Sequence, residues 1–249
     1  MLSVEANPFF TEHAHAYTTS AGHAAGADLA RLIRMVGARP GLVGLDVATG
    51  TGHTALAMAR AGVRVTGVDP TPAMLAEARA YAARCACADM VDFVEGSAES
   101  IPFPDDCADI VTCRRAAHHF TDLAGSLREM ARILRPNGRL GISDMCPPTA
   151  AARLLNRFER MRDPTHVRAL DDAQWRDVVR AAGLDILCVE TVQERMSLEE
   201  WLRPLPADGP VAAAVRSALS ALDRQERASV TGGGEGRWLK RRILLLATK

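Results

Sequence analysis

The chain has no excess of charge of either sign: 30 lysines and arginines stand against 30 aspartates and glutamates in 249 residues. It therefore lacks the basic stripe of a nucleic-acid surface and the basic amphipathic helix of a membrane-surface protein, so neither partner is expected. No apolar run is long enough to span a bilayer. Residues 1–7 lack the basic-then-apolar pattern of a signal peptide, which makes a cytoplasmic location the expectation. The six cysteines, Cys85, Cys87, Cys107, Cys113, Cys146 and Cys188, show neither metal-ligand nor disulfide-scaffold spacing. They read as reduced and structural, and Cys113, inside an apolar run, as a small hydrophobe. Aromatic residues are scarce, at 4%, which leaves Phe9, Phe10, Phe120, Phe158, Trp175 and Trp201 as the candidates to frame a pocket. There is no internal repeat and no sign of a second domain.

What the chain does have is one stretch around which the rest is arranged, Gly44-Leu45-Asp46-Val47-Ala48-Thr49-Gly50-Thr51-Gly52-His53. An apolar run ending in an acid breaks into alternating glycines and then into a helical Ala-Leu-Ala-Met-Ala. That is a strand, a tight turn and a helix N-terminus, where free backbone N–H groups and missing side chains let a small ligand come close. Before it, residues from Pro8 to Arg34 read as helical and carry Tyr17, Ser20, His23 and Asp28. Leu29, Leu32, Ile33 and Val36 repeat at helical spacing before Gly37 and Pro40 stop the helix.

From Leu42 the pattern alternates. Strands are expected at 42–47, 63–69, 91–94, 109–113 and 139–143, with helices at 54–60, from the N-cap Thr71 to Ala83, and at 122–134. Units of this size make a parallel sheet covered on both faces. After Asp144 come a helical insertion, Ala150 to Met161, a helix from Asp172 to Ala181 and a strand from Asp185 to Gln193. Helices at 197–201 and 211–224, a flexible Gly232-Gly233-Gly234 turn and a last strand at 241–247 complete the chain. The two late strands suggest an antiparallel hairpin at the edge of the parallel sheet.

Gly50-Thr51-Gly52 with Ala55 also fits the glycine fingerprint of dinucleotide-binding proteins, a weak match by itself. Asp69, ending the second strand, could hold the ribose hydroxyls of NAD or of S-adenosylmethionine (SAM) alike. Asp46 discriminates, because its negative charge stands where a pyrophosphate would lie and suits an amino group and a sulfonium better.

Asp46-Val47-Ala48-Thr49-Gly50-Thr51-Gly52 resembles motif I of the class I SAM-dependent methyltransferases. Gly67-Val68-Asp69 is similar to their ribose-binding strand end. Gly96-Ser97-Ala98-Glu99-Ser100-Ile101-Pro102-Phe103 resembles the adenine segment of the ubiquinone/menaquinone-biosynthesis type (methyltransferase domain 11). Leu134-Arg135-Pro136-Asn137-Gly138-Arg139-Leu140 matches the turn before strand five, so the likeness runs from residue 12 to about 190. The resemblance implies a Rossmann-like α/β fold with a seven-stranded sheet, mostly parallel, its last strand antiparallel and helices on both faces. It implies one domain over residues 1–249: a helical N-terminal lid at 1–40, a SAM-binding core at 41–146, a helical insertion at 147–170 and the C-terminal half of the sheet at 171–249.

By the same resemblance, Ala48, Gly50 and Gly52 line the methionine end of SAM and Asp46 lies near its amino group. Asp69 holds the ribose, Pro70 or Thr71 the adenine edge, Ala98 offers a backbone N–H to adenine and Ser97 takes the exocyclic amine. Arg114 lies under the cofactor, and Tyr17, Ser20 and His23 belong to the lid. The product would be S-adenosyl-L-homocysteine.

His118 and His119 follow strand four at the carboxyl edge, where open sheets bind ligands, and are the candidates for a catalytic base. Which of the two serves stays open here. His166, between Arg162 and Arg168, is the candidate to face the acceptor, while Arg162, Asp163 and Arg168 read as a structural network. His13-Ala14-His15 reads as a surface helix, and no metal is expected. The function expected is methyl transfer to an oxygen or carbon of a small organic acceptor, a biosynthetic phenol, quinone or secondary metabolite. The alternative is a SAM-binding protein without methyl transfer, and a homodimer is left open.

Two positions depart from the family pattern. Ala48 stands where glycine is frequent, and Ser97 where aspartate is frequent, so the adenine amine meets a neutral acceptor. Ser97→Asp is expected to tighten SAM binding, measured by calorimetry; an unchanged affinity would count against the adenine assignment.

Overall fold

The computed structural model describes residues 8–234 and 237–249, so the signal-peptide reading of residues 1–7 lies outside the described residues. Three helices open the chain: α1 (Pro8–Thr18), α2 (Ala21–Ala25) and α3 (Ala27–Met35). The helical segment expected there is in pieces because Ser20 (ψ 113°) and Gly26 (ψ 142°) turn extended between them. The alternating part follows as β1 (Val43–Val47), α4 (His53–Arg60), β2 (Arg64–Asp69), α5 (Pro72–Ala82), β3 (Val91–Glu95), β4 (Ala108–Arg114), α6 (Leu123–Ile133) and β5 (Leu134–Met145). The rest is α7 (Thr149–Arg162), α8 (Asp172–Ala181), β6 (Asp185–Ser197), α9 (Leu198–Leu202), α10 (Pro210–Ser220), α11 (Arg224–Thr231) and β7 (Arg237–Thr248).

The seven strands form one sheet in the order β3-β2-β1-β4-β5-β7-β6. β1 to β5 pair in parallel, and β7 runs antiparallel to both of its neighbours. The strand order reverses between β1 and β4, which opens a crevice at their carboxyl ends. The expected late hairpin is present with its order settled by burial. β7 carries the buried run Ile243 to Ala247 and lies inside, whereas β6 has only half-buried and exposed positions and takes the edge.

Two further differences have local causes. The helix expected over 211–224 stops at Ser220, and a capping box of Asp223 and Glu226 starts α11 afresh. β5 already begins at Leu134, with Asn137 taking a left-handed φ of 65° inside it. α11 ends as the glycine run suggests, with Gly232 at φ 66°.

Apolar side chains pack against both faces of the sheet. On one, α6 and α8 bring Leu127, Met130, Trp175 and Val179 onto β1, β4, β5 and β7. On the other, α4 and α5 bring Leu56, Met58 and Leu75, with Val36 next to α3. A third cluster, Phe158, Trp201, Val215 and Trp238, holds the insertion and the late helices together, with Trp201 stacked on Trp238 at 4.0 Å.

Gly141 on β5 lets α3 lie against the sheet, since an added Cβ would stand 2.4 Å from Val36 Cγ1 and 3.0 Å from Leu32 Cδ1. Gly141→Val should cost about 1–3 kcal/mol of stability through overpacking, read as a lowered urea midpoint with an unchanged m-value.

Candidate active site

The turn after β1 is built on left-handed backbone. Ala48 (φ 54°), Gly50 (φ 54°) and Gly52 (φ 84°) all take it. For Ala48 this conformation costs about 1–2 kcal/mol, the penalty of a Cβ crowding the following carbonyl. A Cβ on Gly52 would meet the Phe93 ring at 2.9 Å, whereas one on Gly50 would meet nothing within 4 Å. Gly50 thus faces open space at the strand ends, a cradle into which a ligand can approach the backbone. Asp46 lies beneath this turn, 2% exposed. Its two oxygens accept from Thr49 Oγ1 and Thr112 Oγ1, each at 2.7 Å. Burial pushes its carboxyl up to about 6, against the pull of those hydroxyls.

Asp69 closes the turn from the β2 side. Its Oδ2 accepts from Gly50 N–H at 2.8 Å and its Oδ1 from Thr71 N–H at 2.9 Å, while its backbone carbonyl accepts from Gly96 N–H at 3.2 Å. Burial raises its pKa. Thr71 is the N-cap residue of α5 with Pro72 at the first helical position, although its side chain makes no capping bond. Pro70 is half-buried beside it, and Ser97 and Ala98 are buried just past β3. Asp46, Ala48, Gly50, Gly52, Asp69, Pro70, Thr71, Ser97 and Ala98 therefore come to one rim of the sheet, formed by the carboxyl ends of β1, β2 and β3.

The N-terminal helices reach this rim through an ion cluster. Arg114, ending β4, donates to Asp28 from Nε (2.7 Å) and Nη2 (2.9 Å), to the His23 carbonyl (2.9 Å) and to the Gly22 carbonyl (3.2 Å). Arg115 donates to the same Asp28 and to Glu194, and Ser143 Oγ adds a third donor to Asp28 at 3.0 Å. Burial alone would raise the acid, yet the two guanidiniums hold it far below the usual carboxylate range. Arg114 thus uses its donors on the backbone of α2 and on α3.

Around this anchor Ser20 Oγ and His23 Nδ1 share a 2.9 Å bond, the Tyr17 ring meets His23 at 5.1 Å, and the Tyr17 carbonyl accepts from His53 Nε2 at 3.3 Å. Burial pushes the Tyr17 phenol up to about 12, and burial with Arg115, Arg114 and Arg242 drives His23 well below its ordinary value.

His118 and His119 sit on a tight turn after β4 (Ala117–His119), their rings 4.0 Å apart. His118 Nδ1 pairs with Asp144 Oδ1 at 2.6 Å, and Met145 N–H donates to the same oxygen. Burial would raise Asp144, but His118, the Met145 amide and Arg242 hold it at about 2. His119 Nδ1 lies 2.8 Å from Thr165 Oγ1 and 3.2 Å from the Thr165 carbonyl. Burial, then His118, drives His119 down to about 3. The His118 carbonyl accepts from Val167 and Arg168, which ties the turn to the loop after α7. On that loop His166 is 4% exposed, its Nε2 is bonded to Asn156 Oδ1 at 2.7 Å, and its ring lies 5.5 Å from that of His118.

The expected network of Arg162, Asp163 and Arg168 holds in part. Arg162 pairs with the buried Glu159 and Asp163 accepts from Thr165, but Arg168 is exposed and enters through its backbone. His15 is exposed on α1, as a surface helix requires. Of the aromatic candidates, Phe10 packs edge-on against His119 at 5.1 Å. Phe158, Trp175 and Trp201 lie in the core, and Phe120 lines a separate open cleft of about 390 Å³ with Leu123 and Val178.

Asp144, Asn156, Arg115 and the buried pair Glu159–Lys240 (3.5 Å) went unassigned in the sequence. Asp144 had a signal: it ends an apolar strand, as Asp46 and Asp69 do. Lys240, which burial pushes down to about 7, had none.

Residues 45–142 match a methyltransferase domain model, Methyltransf_11. The uncharacterized methyltransferase YcgJ of Bacillus subtilis is 35% identical over 203 residues, 80% of each chain. Its crystal structure matches with a TM-score of 0.81 at 31% identity, covering 89% of this chain and 97% of that one. The 27-O-demethylrifamycin SV methyltransferase of Amycolatopsis mediterranei is 33% identical over 169 residues, 66% of this chain and 61% of that protein. A demethylmenaquinone methyltransferase of Chlorobaculum tepidum is 40% identical over 113 residues, 45% and 44% of the two chains. A relative matched over four fifths of its length, on a sheet of the same architecture, carries the assignment: the chain belongs to the SAM-dependent methyltransferases.

Proposed function

We propose that this enzyme methylates a small hydroxylated aromatic acceptor, on a phenolic oxygen or on a carbon activated by that oxygen, with His118 as the base. The observation that carries the reading is the buried His118–Asp144 pair at 2.6 Å, beside the crevice. SAM, when bound, supplies a methyl group already activated on a sulfonium and leaves as S-adenosyl-L-homocysteine. The open cradle at Gly50, the acid beneath it and the acid at the end of β2 fit that ligand, with Asp69 toward the ribose and Asp46 toward the amino group. Ser97 and Ala98 would meet the adenine.

Asp144 keeps the proton on His118 Nδ1, which leaves Nε2 as a lone pair facing the acceptor, and it stabilises the imidazolium that forms. His119 suits the role less, since a group held at about 3 is a weak base at neutral pH. α1 and α2, anchored through Asp28, would cover the crevice and exclude water. The relatives that act on demethylrifamycin SV and on demethylmenaquinone support a small organic acceptor, which is most simply met in the cytoplasm.

Two experiments test this. His118→Ala should lower turnover at saturating SAM by about 10²–10⁴-fold with SAM affinity retained, and Asp144→Asn should fall between it and the parent. SAM binding without release of S-adenosyl-L-homocysteine across a panel of phenols and quinols would overturn the reading.

The second is a pH dependence. Asp46 is protonated in the free protein below about 6, and a cationic ligand prefers it ionised. SAM affinity should therefore rise by roughly tenfold from pH 5 to pH 7, one titration between those limits, and then level off. Calorimetry should find Asp46→Asn weaker and flat over the same range.

A further inference from the structure

Three imidazoles stand together at the crevice, and their hydrogen-bond partners assign where each proton lies. Asn156 Oδ1 accepts from Ala169 N–H at 2.7 Å, and Asn156 Nδ2 donates to the carbonyls of Ala152 and Ala169. The amide cannot be turned over without opposing donor to donor and acceptor to acceptor, so the group facing His166 Nε2 is an acceptor. His166 therefore carries its proton on Nε2, and its Nδ1 is a bare lone pair. His166 Nδ1 is buried and has no hydrogen-bond partner among the described residues.

The same logic applies to its neighbours. His118 gives Nδ1–H to Asp144, and His119 gives Nδ1–H to the Thr165 carbonyl. Among the described residues no protein group donates to the Nε2 of His118. A buried acceptor without a partner costs about 1–3 kcal/mol, and the His118 and His166 ring centres stand 5.5 Å apart. Burial, then His118, pushes His166 down to about 4, so the lone pair persists at neutral pH.

We propose that the acceptor is a vicinal dihydroxy aromatic: one hydroxyl loses its proton to His118 Nε2, and its neighbour donates a hydrogen bond to His166 Nδ1. This rests on the reading of His118 as base and deepens it, because it makes His166 the residue that selects the second hydroxyl. In the reaction the O–H bond of the first hydroxyl breaks and its proton goes to His118; the oxygen pair would form the bond to the methyl carbon as the sulfonium S–C bond breaks, its electron pair staying on the sulfur of the departing S-adenosyl-L-homocysteine. The second hydroxyl keeps its proton throughout. A phenol meets the need better than an alcohol, since its acidity lies within reach of an imidazole base. An acceptor with a single hydroxyl leaves His166 Nδ1 unpaired and forfeits that bond.

The test compares 1,2-dihydroxynaphthalene with 2-naphthol, and catechol with phenol. Binding is measured by calorimetry to protein loaded with S-adenosyl-L-homocysteine, and methyl transfer is measured separately with SAM. The dihydroxy member of each pair should bind and react about 10–100-fold better, as an unmade buried hydrogen bond predicts. His166→Phe should erase that preference, while His166→Asn, which keeps an acceptor oxygen near the Nδ1 position, should retain much of it. Unaltered SAM affinity and melting temperature show that the variants are folded. Equal binding and turnover of both members by the parent protein overturns the inference and leaves methyl transfer standing. Preferential binding of the dihydroxy member without methyl transfer upholds the recognition and overturns the proposed reaction. Failure of every probe to bind overturns the acceptor class.

Discussion

One carboxylate, that of Asp28, makes the rest of the site buildable. Arg114 and Arg115 are consecutive at the end of β4, and both guanidiniums turn to it in the interior. Two cations held there without an anion would be intolerable, and breaking such a buried pair typically costs about 3–5 kcal/mol. The bridge also makes α3 part of the sheet, because Ser143 on β5 donates to the same oxygen that Arg114 Nε reaches. Gly26 belongs to this constraint: a Cβ there would lie 2.6 Å from Arg115 Nη2. From Arg115 the chain of charges continues through Glu194 on β6 to Arg242 on β7, so the N-terminal helices and the edge strands share one network.

Three acids end strands β1, β2 and β5, and their surroundings give them different behaviour. Asp46 is pushed up by burial against its hydroxyl donors, Asp69 is satisfied by backbone amides, and Asp144 is held down by His118 against its burial. The residue type is constant while partner and solvation vary, which is how one sheet edge can carry a titrating acid, a turn anchor and the orienting partner of an imidazole. The low value of Asp144 contributes stability that is present at neutral pH and lost as pH falls from near 4 toward about 2.

Much of the architecture was legible in local patterns. The acid-terminated strand and glycine turn at Asp46 to Gly52, the cap and proline at Thr71-Pro72, and the helix stop at Gly37 act over a few residues, and the structure has them where the sequence implies. The break at Ser220 was not legible by periodicity, although Asp223 and Glu226 announce a new helix to a reading that looks for caps. The order of β6 and β7 was hidden for another reason: both read as late strands, and only competition for the buried place between β5 and the edge separates them.

The site divides along the same line. By itself the sequence determined which ligand class the crevice takes, because Asp46, the glycines and Asp69 are brought together by one β-α-β unit whose geometry follows from local spacing. It also pointed to two adjacent histidines as the candidates for a base. Only the tertiary structure sets the two apart, since the carboxylate that pairs with His118, Asp144, lies 26 residues away and meets it because β4 and β5 pair in parallel. The same holds for Asp28 with its arginines and for Asn156 with His166: each proton and each charge is placed by a partner distant in the chain or across a loop. Burial then sets the strength of the interaction, and burial is a property of the packed molecule.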